Sequence, residues 1–122
     1  MKKEYVEFIC LIHGYLIRLK EIHWHTTSNA EHLLCDEIMS DLSENQDRFT
    51  ECTMGLYNSH FKIGNLIPLL PNSEDLKSML KELEEDIIDF RKKLKPTEYS
   101  LFNIIDDMLE DCGKYSYRCT QN

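Results

Sequence analysis

The chain has 122 residues, 42% hydrophobic and 30% charged, with a formal net charge of −8. That length and balance describe one globular domain, 1–122, and exclude a disordered chain. The acid excess opposes non-specific attraction to nucleic-acid phosphates and anionic lipid and favours cations, and no apolar run approaches the ~20 residues that cross a bilayer.

The first segment has apolar residues at 5, 8, 9, 12, 15, 16, 19 and 22. This is helical spacing, and it predicts a helix running to about Thr26, with Gly14 inside it. Met1-Lys2-Lys3-Glu4 leads into this helix rather than into the unbroken apolar region of a signal peptide. An intracellular, cytoplasmic protein is therefore expected.

Ser28 and Glu31 have the spacing of a capping box, which predicts a second helix ending near Gly55, a suitable C′ residue. The link from Leu56 to Asn72 carries Tyr57, Phe61, Ile63, Leu66, Ile67, Leu69 and Leu70. It is too apolar for a solvated loop, so it is expected to lie along the bundle as a crossover.

A third helix is predicted to start at Pro71-Asn72-Ser73-Glu74-Asp75, with core positions Leu76, Leu80, Leu83, Ile87, Phe90 and Leu94. Arg91, Lys92, Lys93 and Lys95 suit its C-terminal dipole, and Pro96 stops it. The acidic run Glu82-Leu83-Glu84-Glu85-Asp86 reads as a solvated face. A fourth helix from about Thr97 to Cys119 would bury Phe102, Ile105, Leu109, Cys112 and Tyr115. Together these predict an all-α four-helix bundle in which the long apolar crossover allows helices two and three to run parallel.

The five cysteines, 10, 35, 52, 112 and 119, are odd in number and contain no C-x-x-C pair. Buried reduced thiols are expected, not a zinc or redox motif. Cys35 stands out because it lies beside Asp36.

The chemistry-bearing pattern is His23-Trp24-His25 followed by His32, Asp36, Asp47 and Glu51. On a helix, His32, Asp36, Asp47 and Glu51 fall within an arc of roughly 100°. Ile38, Leu42, Phe49 and Leu56 point the opposite way, so the stripe faces away from the core. Its two halves are separated by ~16 Å of helix axis, too far for one ion to touch both. The chain also lacks any Glu-x-x-His, the signature of a metal site inside the bundle. Two copies of the helix packed antiparallel about a twofold axis would join His32 and Asp36 of one chain to Asp47 and Glu51 of the other, with His23 leaning over the same place. Two histidines with carboxylates and open positions suit Fe(II), and the same set accepts Zn(II). His13, His25 and His60 read as ordinary polar or packing residues.

Residues 15–55 resemble the Dps family, the miniferritins. The resemblance rests on His23-Trp24, His32-x-x-x-Asp36 and Asp47-x-x-x-Glu51. It implies a ferritin-like bundle and a homo-oligomer, at least a dimer and up to a dodecameric shell. It also implies a ferroxidase site at a twofold interface that oxidises Fe(II) and stores ferric mineral. Trp24 would stand beside that site, and the link after Gly55 would carry a short interface helix. The turn between His23 and His32 is shorter than the family's, and there is no basic tail for binding DNA. The alternative is a ferritin-like structural or interaction protein without enzymatic activity or iron storage.

Overall fold

A computed structural model describes residues 1–121. It contains four helices: α1 Lys3–His25, α2 Asn29–Tyr57, α3 Leu76–Arg91 and α4 Tyr99–Arg118. There are no strands among the described residues. Each helix hides one stripe of apolar side chains against the two helices beside it: α1 against α2 and α3, and α4 against α2 and α3. On α1 the stripe is Tyr5, Phe8, Ile9, Ile12, Tyr15, Leu19 and Ile22, all buried.

Cross-helix contacts fix the directions. Tyr5 and Phe8 meet Phe49 while His23 meets His32, so α1 and α2 are antiparallel. Phe8 stacks on Phe90 and Tyr15 bonds to Asp86, so α1 and α3 are antiparallel too. Helices α2 and α3 therefore run parallel. Tyr115 to Asp41 and Arg48 to Asp107 set α4 antiparallel to α2. One end is pinned by a ring cluster: Phe8 and Phe90 are stacked at 3.9 Å, and Phe49 stands edge-on to both at 5.1 and 5.4 Å.

Residues 58–75 span the length of the bundle between the two parallel helices, without a helix of their own. The short helix implied by the Dps resemblance is absent from this segment. The segment is an irregular strap laid on α1. Cys10 Sγ donates to Asn65 O, Leu69 N donates to Cys10 O at 3.1 Å, and Arg18 donates to Ser73 O. A Cβ on Gly14 would come within 1.9 Å of Leu69 O, so only glycine lets the strap sit this close. The strap does lie along the bundle, yet it leaves Ile63, Leu66, Ile67, Leu69 and Leu70 exposed.

Local details also depart from expectation. Helix α2 passes through Gly55 and stops when Asn58 turns left-handed, with φ 45. Leu56 belongs to that added turn and is exposed. The capping box is half-formed: Ser28 Oγ accepts from Glu31 N, but Ser28 N donates to Thr26 Oγ1 instead of Glu31. On α4 Ile105, Cys112 and Tyr115 are buried as expected and Leu101, Ile104 and Met108 are buried with them, while Phe102 and Leu109 are only partly buried. The acidic run of α3 is not wholly solvated, because Glu82 accepts from Asn72 N and Ser73 N and Asp86 accepts from Tyr15.

Candidate metal centre

The site begins with a tight hairpin. Between His25 and Asn29 the chain reverses in residues 26–28, where Thr26 N donates to Ile22 O and Ser28 caps α2. The last turn of α1 is thereby set beside the first turns of α2.

His23 and His32 face each other across this junction. Their rings stack with centroids 3.7 Å apart and planes 20° apart. His23 Nδ1 lies 3.1 Å from His32 O, and His32 Nδ1 lies 3.0 Å from His23 O. A carbonyl can only accept, so Nδ1 carries the hydrogen on both rings. Each neutral imidazole then keeps its lone pair on Nε2, the arrangement in which a ligating histidine is oriented through its other nitrogen. The bond to His23 O also satisfies one of the open carbonyls at the end of α1.

Asp36 sits one turn further along α2. Its Oδ1 is 3.5 Å from His23 Nδ1, an electrostatic contact secondary to the shorter bond with His32 O. One potential ligand atom from each of His23, His32 and Asp36 falls within 4.8 Å of the others. The histidines are partly buried and the carboxylate is exposed, so the set opens to solvent. The C-terminal carbonyls of α1 and the N-terminal amides of α2 meet at this spot, so their helix-end potentials oppose each other.

The donor chemistry fits Fe(II) or Zn(II), with two imidazoles, one carboxylate and room for further ligands. The stacking does not yet fit a bound ion. An imidazole binds an ion in its own ring plane at ~2.0–2.1 Å, and two nearly parallel rings share no such point. One ring must turn out of the stack before both lone pairs reach one ion.

Asp47 and Glu51 are exposed on the same outward face of α2, roughly three turns from Asp36. They border a groove of about 270 Å³ whose other walls include Ile9 of α1 and Phe61 and Leu66 of the strap. One chain therefore presents His23, His32 and Asp36 together and holds Asp47 and Glu51 apart. Trp24 is largely exposed. His13 accepts from Gln46, while His25 and His60 face solvent. Cys35 faces inward despite its position beside Asp36, and burial pushes its thiol up to about 12, which leaves it unreactive.

A second polar constellation had no sequence signal. Glu98, buried at the head of α4, accepts from Tyr5 at 2.5 Å, from Tyr57, and from Lys95 N at 2.6 Å. Burial acts to raise its carboxyl pKa, but these donors outweigh it and the net shift is downward. Its partners are remote in sequence, so only the folded chain shows the group.

The DUF5856 family, a family of unknown function, matches residues 23–119. The chain belongs to this family. All five candidate ligands, His23, His32, Asp36, Asp47 and Glu51, lie within the match, whereas most of α1 precedes it. No curated protein and no solved structure matches the chain. No helix among the described residues is long and apolar enough to cross a membrane.

Proposed function

We propose that this DUF5856 protein is a ferritin-like ferroxidase that takes Fe(II) as substrate at a site completed by a second copy of the chain, sequestering iron and limiting oxidative damage. The observation that carries the reading is the convergence of His23, His32 and Asp36 on the outward side of the bundle. Parallel α2 and α3, joined by a long crossover, are the connectivity of ferritin-like bundles.

Three ligands leave a transition ion under-coordinated. Antiparallel pairing of two α2 helices supplies Asp47 and Glu51 from the mate. The exposed Ser40 and Ser43 stand midway between the two halves of the stripe, where small side chains allow close approach. In this reading the imidazoles hold Fe(II) after one ring leaves the stack, the ring that stays keeps its Nδ1–H bond to backbone and its lone pair on Nε2, and the carboxylates offset the charge gained on oxidation. Each Fe(II) gives up one electron. A peroxide takes two electrons with two protons and leaves as water.

Anaerobic Fe(II) loading followed by peroxide or oxygen tests the proposal. Ferric absorbance should rise faster than in buffer, and His32→Ala with Asp36→Ala should abolish the increase. A rate equal to buffer refutes the ferroxidase. Both imidazoles are tied to backbone carbonyls and the strap exposes apolar side chains, so a purely structural or interaction role is the second reading. Stable oligomers that take up neither Fe(II) nor Zn(II) would favour it.

A further inference from the structure

The outward face of α2 presents a conflict that one chain does not resolve. Asp36, Asp47 and Glu51 are exposed on it, and no Lys or Arg lies between them on that face. The only basic side chain of α2 apart from His32 is Arg48, and it turns away to bond to Asn45 and to Asp107 of α4. Beside the acidic half, Leu66 lines the groove with Asp47 and Glu51, and Ile63 and Ile67 of the same strap are exposed.

An antiparallel match of two such faces places Asp36 of one chain near Asp47 of the other and His32 near Glu51. Burying strap side chains would favour this contact. The facing carboxylates, three from each chain, would oppose it, because like charges brought together in a partly desolvated interface repel.

We propose that self-association of this protein is controlled by divalent cations: the acidic faces keep metal-free chains apart, and an ion held by His23, His32 and Asp36 of one chain with Asp47 and Glu51 of the other joins them. The proposal rests on the shared-site reading and adds a linkage to it. If the ion binds the dimer better than the monomer, it strengthens pairing, and pairing strengthens ion binding by the same factor. Metal uptake then depends on protein concentration, and the half-site of a lone chain binds weakly.

The test is sedimentation velocity of the full chain, first with chelator and then with Zn(II) alone, which avoids redox chemistry. Zn(II) should tighten dimerisation by about tenfold or more, with two ions per dimer. With chelator, added monovalent salt should favour the dimer by screening the carboxylates. Asp47→Asn with Glu51→Gln should dimerise more strongly than wild type in chelator and lose the response to Zn(II). That inversion of sign is not expected of a scaffold. Zn(II) bound to a chain that stays monomeric overturns the linkage and leaves the metal centre standing. A chelator-resistant dimer indifferent to both Zn(II) and the double substitution also overturns it. No Zn(II) uptake at any protein concentration overturns both the linkage and the metal centre.

Discussion

The two ends of α1 each hold a polar cluster, and they differ in what remains unpaired. At the Tyr5 end, the Glu98 carboxylate is buried and receives Tyr5, Tyr57 and the Lys95 amide. At the His23 end, each imidazole has one nitrogen tied to a backbone carbonyl and one free, and Asp36 faces water. A cluster whose donors and acceptors are matched in a dry environment holds helices together. A cluster that keeps lone pairs at the surface can take a ligand. The Glu98 cluster is closed in this sense, and the His23 cluster is open.

Substitutions can break that comparison. Removing both His32 and Asp36 as alanines should reduce Zn(II) affinity by more than the roughly 10–100-fold that loss of an outer-shell partner costs, measured by titration calorimetry. Its effect on unfolding should stay within about 1 kcal/mol. Glu98→Ala should do the reverse, costing about 3 kcal/mol in denaturant unfolding through the orphaned Tyr5 hydroxyl and Lys95 amide, while Zn(II) uptake is kept. Equal stability losses from the two changes would erase the distinction.

Gly14→Ala sharpens it at a third place. Its Cβ would meet a strap carbonyl rather than a movable side chain, so about 2 kcal/mol should be lost despite better helix propensity. The smallest effect concerns acid. Glu98 has a lowered pKa in the folded chain, so its stabilisation is present above the unfolded carboxylate value and disappears as pH falls through the folded one. Glu98→Gln should flatten that part of the stability–pH curve.

The helices were legible because the apolar period states which side of each must be hidden. The core residues of α1 and α3 follow it closely, including Leu94 beyond the end of α3. The α2 boundary was misread because Gly55 is a good helix stop only if the chain turns left-handed there, and Asn58 makes that turn instead. On α4 the period finds Ile105, Cys112 and Tyr115 but overextends to Leu109 and to Phe102, whose ring lies under Arg91 at the bundle edge. Of the site, the outward direction of Asp36, Asp47 and Glu51 was readable from helix angles alone. The stacking of His23 on His32, and the tautomers it imposes, were not, because they depend on how the chain turns at 26–28.

By itself, then, the sequence determined four amphipathic helices, a crossover too apolar to be idle, and an acid–histidine stripe opposite the core. These are properties of spacing along one chain. Only the tertiary structure decided that the crossover threads past Gly14 with its leucines outward, that Glu98 is filled by two tyrosines, and that His23 lies on His32. Each of those joins residues from different segments, and local periodicity carries no information about which distant groups close packing will bring into contact.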